Sequence, residues 1–270
     1  MKSRVITAVF FVIAMLGSVY LSPYTFVLLF GIITAGCLRE FYHLSMLSGK
    51  LRQVLSIALG TTPFIMVALF QLTSLDANAN TLIIILLLFL PVIFMFFLFE
   101  MFTLSAKPFH NVAAAILGIV YIGVPFTLLE WIALHYGYRP NLVCGLLLLT
   151  WTNDTAAYII GSQIGKRPLF PRISPKKTWE GTLGGIGVTL LVGFAIGFLF
   201  DEIRPVDWIM LSIIIGVFGS LGDLIESMLK RGVQIKDSGN LLPGHGGLLD
   251  RFDGFIFMLP YATVYLLLIK

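Results

Sequence analysis

Two pairs of carboxylates stand three residues apart: Asp223 with Glu226, and Asp250 with Asp253. On a helix that spacing puts each pair on one face, where like charges repel unless a cation lies between them. Hard oxygen donors of this kind suit Mg2+ or Mn2+, which take one or two protein carboxylates together with water and phosphate oxygens. Basic residues run alongside: Lys166, Arg167, Arg172, Lys176 and Lys177 in one stretch, Lys230, Arg231 and Lys236 in another, and Arg251 inside the second acidic pair. Lysine and arginine clamp phosphate oxygens. The turn Leu242-Pro243-Gly244-His245-Gly246-Gly247 precedes that pair, and a glycine-rich turn ahead of a helix lets backbone amides approach an anion closely. Acid, base and glycine together point to metal-assisted phosphoryl transfer. A further polar group, Asn153-Asp154, interrupts an otherwise apolar run.

The elements that position these groups follow from composition. The chain has 270 residues, 58% of them hydrophobic and 12% charged. Soluble domains carry about 25% charge, so half the usual charge excludes an ordinary soluble enzyme and a disordered chain. The net charge of +4 is small and, by the topology below, spread over one membrane face rather than gathered in a basic stripe, which argues against a nucleic-acid partner. Nine apolar runs, at about 5–21, 24–38, 54–73, 81–102, 112–134, 142–160, 182–200, 208–229 and 252–269, are long enough to cross a ~30 Å hydrocarbon layer as helices. Leu82–Phe99 shows none of the alternation of an outer-membrane strand. The expected fold is an all-α, polytopic integral membrane protein with about nine transmembrane helices.

Charge orients the spans, since cytoplasmic loops collect lysine and arginine. With the N-terminus cytoplasmic and the C-terminus external, 15 of the 18 basic residues fall inside, and only Arg139, Arg204 and Lys270 fall outside. The first run reads as an uncleaved span, because it exceeds a signal peptide's h-region and lacks a clear small-x-small cleavage site. Cys37 and Cys144 fall toward opposite faces, so no disulfide is expected.

Residues 150–270 hold 21 of the 32 charged groups. This divides the chain into 1–141, a scaffold of about five spans with a surface for dimerisation, and 142–270, a catalytic region of about four spans with cytoplasmic loops 161–181 and 230–250. Glu40, Glu100 and Glu130 read as interfacial residues at helix ends. Asp154, Asp223 and Asp250 converge on the cytoplasmic leaflet under this topology, and ionisable groups at membrane depth are functional candidates by default.

Blander readings stay open at this level. Asp223 could serve only as an ion-pair partner of Lys230. The 166–177 basic run could bind anionic headgroups. Gly246-Gly247 could be a helix lead-in, His245 a structural hydrogen-bonding residue, and Asn153 with Asp154 a helix-packing pair.

Residues 227–253 read S-M-L-K-R-G-V-Q-I-K-D-S-G-N-L-L-P-G-H-G-G-L-L-D-R-F-D. This resembles the signature of the phosphatidate cytidylyltransferases, or CDP-diacylglycerol synthases. Upstream, Asn153-Asp154 and Ser174-Pro175-Lys176-Lys177-Thr178-Trp179-Glu180-Gly181 also resemble motifs of that family, in the expected order. The resemblance implies that CTP and phosphatidic acid give CDP-diacylglycerol and pyrophosphate, with Mg2+ or Mn2+ and room for a second cation. It implies a multi-pass protein of the cytoplasmic membrane, its active site facing the cytoplasm, and a homodimer. Laid on this sequence, it makes Asp223, Asp250, Lys230, Arg231 and His245 catalytic, and Asp223, Asp250, Asp253 and Glu226 metal-binding. Substrate contacts fall to Lys176, Lys177, Lys236, Arg251, Ser174, Asn153, Asp154, Gly246 and Gly247. Two other activities fit parts of the pattern: a CTP-dependent polyprenol kinase, which would release CDP, and an anion transporter, which would need a pathway open to both faces.

Overall fold

A computed structural model describes residues 2–47, 49–73, 79–103, 105–235, 237–239 and 246–269. Among the described residues there are nine helices: α1 Lys2–Leu21, α2 Pro23–Leu44, α3 Lys50–Leu72, α4 Ala79–Phe102, α5 Pro108–Leu134, α6 Pro140–Ile164, α7 Trp179–Leu199, α8 Pro205–Gly232 and α9 Leu249–Leu268. Each of the nine apolar runs falls on one of them. Seven, α2, α3 and α5 to α9, are long and apolar enough over their described residues to cross a membrane. The chain is an all-α polytopic membrane protein, with one departure: the loop after α6 folds into a two-stranded antiparallel hairpin, β1 Pro168–Phe170 and β2 Ser174–Thr178.

The helices satisfy their polar residues internally, as hydrocarbon requires. The hydroxyls of Thr34, Thr127, Thr150, Thr189, Ser212 and Ser220 donate to the carbonyl four residues back, at 2.7–2.8 Å. Ser22 opens α2 through a reciprocal capping box with Thr25, and Pro23 takes the first helical position, where its missing N–H is harmless.

The described chain forms two compact units. The first comprises Met1–Tyr138 with Ser238–Leu249. Its core is aromatic, built on Phe26, Phe30, Phe41, Phe64, Phe126 and Trp131. Helices approach closely at Gly60 and Gly123, where a Cβ on Gly123 would lie 2.3 Å from the Gly60 carbonyl oxygen. Glu40, Glu100 and Glu130 do lie in the last turn or so of their helices, as expected, but they are buried by packing rather than solvated at an interface. Arg52 and Asn111 hold the Glu100 carboxylate at 2.5 and 3.1 Å. Glu130 is wholly buried, with no hydrogen bond to either oxygen. Glu40 is 7% exposed and accepts bonds from residues about two hundred positions away.

The second unit comprises Arg139–Asp237 and Asp250–Lys270. The sequence boundary at 141/142 lies close to the first break, while the 238–249 segment packs with the first unit. In the second unit α7 lies against α6 along Gly181 and Gly185, where an added Cβ would meet the Ala157 carbonyl oxygen at 2.8 Å and the Ala157 side chain at 2.9 Å. Small residues permit this separation, and such packing replaces the hydrophobic drive that a bilayer does not supply. α8 and α9 meet through Gly222 and Gly254, and a five-residue π-helical segment, Ile215–Gly219, interrupts α8 just before Ser220.

Candidate active site

The hairpin sets the geometry of the site in the second unit. Glu180, in the first turn of α7, accepts the amides of Lys166 and Arg167 at 3.0 and 3.1 Å. Trp179 donates its amide to the Arg167 carbonyl at 2.9 Å, and the Thr178 hydroxyl accepts the Gly181 amide at 3.2 Å as N-cap of α7. Successive strand residues point to opposite faces, so Lys176 is exposed while Lys177 turns inward to pair with Asp223. The Lys177 ammonium also lies 3.5 Å from the Ser220 carbonyl oxygen.

Asp223, Glu226 and Lys230 occupy successive turns of α8. Ser227 donates to Asp223 at 3.3 Å. Glu226 is wholly buried and pairs with Lys230 one turn on. Lys230 then bridges to Asp250 at the start of α9, at 2.7 Å. The blander pairing of Asp223 with Lys230 is not the one formed. Those residues are seven apart, about 10 Å along the axis, and Lys177 reaches Asp223 instead.

Asp154 on α6 is within electrostatic range of Asp223, Lys177 and Arg251, and Asp253 on α9 is within range of Asp223, Glu226 and Asp154. Asp253 also accepts the Gly254 amide at 2.6 Å. Asn153 is buried and donates to the Ser220 hydroxyl at 3.3 Å, which in turn donates into the π-helical segment at Gly216. Such single-turn π segments often mark functional positions. Five carboxyl groups, Asp154, Asp223, Glu226, Asp250 and Asp253, lie with three basic side chains, Lys177, Lys230 and Arg251, among the described residues of this network.

Other residues marked in the sequence lie elsewhere. Arg231 is exposed and donates to the Ile235 carbonyl at 3.1 Å. Ser174 begins β2, at the far end of the strand from Thr178. Gly246, at a φ of +82°, and Gly247 belong to the first unit, where the amides of Leu248 and Leu249 are taken by Glu40. Lys236 and His245 lie outside the described residues. The sequence reading missed Ser220, although its position three before Asp223 is the helical spacing that would have found it, and it quoted Ser227 only as the first residue of the 227–253 signature, with no role beside Asp223. It also missed Glu180 as the residue that shapes the hairpin.

The second unit is thus a bundle of long apolar helices that holds a carboxyl-rich polar network, with one lysine brought by the hairpin and another by α8. The sequence profile of the Cytidylyltransferase family matches residues 2–269, and the chain belongs to that family. It is similar to a protein named phosphatidate cytidylyltransferase from Staphylococcus aureus (strain COL), 41% identical over 164 residues. A protein of the same name from Bacillus subtilis (strain 168) is 42% identical over 163 residues. Each match covers 59% of this chain, and the chain spans 60% of each relative's length.

Proposed function

We propose that the chain is a phosphatidate cytidylyltransferase. A phosphate oxygen of phosphatidic acid attacks the α-phosphorus of CTP, the bond from that phosphorus to the bridging β-oxygen breaks, and CDP-diacylglycerol and pyrophosphate result. The observation that carries this reading is the partly buried charge network around Lys177, Asp223, Lys230 and Asp250 in a Cytidylyltransferase-family protein. The names of the relatives agree with it.

A phosphate monoester has a second pKa of about 6, so the lipid phosphate is already largely a nucleophile at neutral pH and needs no strong base. The barrier lies in bringing two anions together and releasing a third. In this reading Lys177 and Arg251 receive phosphate oxygens beside Asp154 and Asn153. Lys230 neutralises charge between Glu226 and Asp250. Lys176 and Ser174 on the hairpin, with Arg231 and Lys236, guide the nucleotide. His245 hydrogen-bonds the departing pyrophosphate, and Gly246 and Gly247 let the turn approach it through amides other than those Glu40 holds.

The donor set also fits a divalent cation. Its candidate ligands are all carboxyl oxygens, the hard donors that suit such an ion. Among the described residues no three metal-ligating side chains form a ready-made cage, and ammonium groups stand where the carboxylates converge. Asp223 and Asp250 would hold Mg2+ or Mn2+, with Asp253 and Glu226 beside them or holding a second ion. A bound divalent ion supplies charge neutralisation of the phosphates and of the leaving group.

The finer topology belongs to the same proposal: nine spans, the N-terminus and active site cytoplasmic, the C-terminus external, and two copies paired through the first unit. The decisive test is product analysis with CTP labelled at the α-phosphate and phosphatidic acid in mixed micelles. Label in the lipid phase with release of pyrophosphate is expected. Release of CDP would assign a kinase instead, and counterflow in liposomes without product would assign a transporter. Chelation by EDTA should stop turnover and added Mg2+ or Mn2+ restore it.

A further inference from the structure

Glu40 stands out among the buried acids of the first unit by what holds it. Its Oε1 accepts the Leu248 amide at 2.9 Å; its Oε2 accepts the Leu249 amide at 2.8 Å and the Ser238 hydroxyl at 2.9 Å. A helix N-terminus is an anion site, because its first amides have no partner within the helix and its dipole favours negative charge. Here the anion is a side chain of the protein itself. The packing around the carboxylate is close on every side. A Cβ on Gly247 would lie 2.4 Å from Oε2 and 2.0 Å from the Ser238 hydroxyl, and one on Gly239 would lie 2.6 Å from Oε1. One turn before Glu40, Gly36 receives the Leu248 side chain, which a Cβ there would meet at 2.7 Å. Two residues of α2 on the same face thus hold both ends of the 238–249 segment: Gly36 and Glu40 at Leu248–Leu249, and Glu40 again at Ser238. The glycines at 239 and 247 are needed for that closeness.

We propose that Glu40 is a positioning residue for the reaction: an internal anion latch that fixes where α9 begins, and so where Asp250, the next residue along the chain, is presented. The inference rests on the functional reading above. It also explains Gly239 and Gly247, which close onto a carboxylate that takes the Leu248 and Leu249 amides.

The test compares the wild-type chain with Glu40→Gln in phosphatidylcholine nanodiscs. Glutamine keeps the shape but turns an NH2 toward one side where amides and a hydroxyl donate, so the latch loses charge and acceptors together. Charge-assisted bonds of this kind are worth enough to change a rate by about 10- to 100-fold. Expected are faster hydrogen exchange at the Leu248 and Leu249 amides and a kcat reduced by about that factor. KM for CTP and for phosphatidic acid should stay within about twofold, since the substrate-binding side chains are untouched. A merely structural role would lower the melting temperature and the yield while leaving the kcat of the folded fraction unchanged. Ser238→Ala removes one of the three bonds and guards against loss of folding in the first variant; about a threefold loss of kcat with intermediate exchange is expected. Unchanged exchange in both variants, or faster exchange with wild-type kcat, overturns the proposal. If the wild-type protein makes no CDP-diacylglycerol, the functional reading and the positioning role fall together, while the exchange rates still report whether the latch exists.

Discussion

The two ends of the second unit use their charges in opposite ways. At the end where α6 begins, each described contact matches a donor to an acceptor. Glu202 accepts the amides of Asn141 and Leu142 at 3.0 and 2.6 Å, capping α6, and its own carbonyl receives Arg139 at 2.7 Å. Arg204 makes a two-pronged pair with Asp207, which also accepts the Tyr265 hydroxyl at 2.8 Å. Asp154 is 14 residues further along α6, about 21 Å by helical rise. Around it carboxylates outnumber cations, and Lys230 serves two acids at once. Carboxylates taken up by backbone amides, a guanidinium and a hydroxyl in this way hold elements in place. Under the proposed function, a cluster in which several carboxyl groups share few ammonium groups is where a cation and phosphate would bind.

The largest effect that would test this contrast is at Asp250. Asn in its place keeps the shape and can still accept from Lys230, so the fold should persist. Turnover should fall about a thousandfold or more, the scale at which a group that stabilises transition-state charge acts, read as label from α-labelled CTP entering lipid. Asp223→Asn should behave alike, and near wild-type activity in either variant at ordinary Mg2+ would remove those carboxylates from the chemistry.

Next in size is Lys230→Met. It leaves the wholly buried Glu226 and the nearly buried Asp250 without their shared ammonium, and breaking such a pair typically costs about 3–5 kcal/mol of stability. Adding Glu226→Gln should recover much of the thermal stability in detergent without recovering turnover. Recovery of both would make Lys230 a structural counter-ion only. Smaller again is Lys177→Ala. If the hairpin lysine binds phosphate, its loss should raise KM for one substrate by about tenfold, the worth of one charge-assisted contact. An equal loss in kcat alone would place it in the transition state instead.

How far all this can be read from the sequence depends on the range over which each constraint acts. The nine apolar runs are legible because a bilayer demands length and hydrophobicity in each segment separately. The acidic residues of α8 and α9 are legible because charge is rare at membrane depth. Their partners are not. Asp223 and Glu226 share a helical face, yet one turns to a hairpin lysine and the other to Lys230, a choice made by β2 pairing with β1 in a stretch with no strand periodicity. Burial of Glu40, Glu100 and Glu130 was hidden for the same reason. A lone glutamate in an apolar run looks alike whether water, Arg52 or a distant helix end receives it.

The smallest effect is the one that most directly tests the matched end. The Arg204 side chain is 68% exposed while that of Asp207 is 2% exposed, so the pair sits at the border of solvent and gains little from its charges alone. Arg204→Gln keeps one donor for Asp207, and Tyr265 still supplies another. The loss of stability should therefore be small, a shift of no more than a few degrees in melting temperature for a chain of this size. Turnover should be unchanged, because Arg204 lies a full span from Asp223 on α8, 19 residues or about 28 Å by helical rise. A tenfold loss of turnover at unchanged stability would show that the two ends are coupled, and the separation of structural from catalytic charge within this unit would fail.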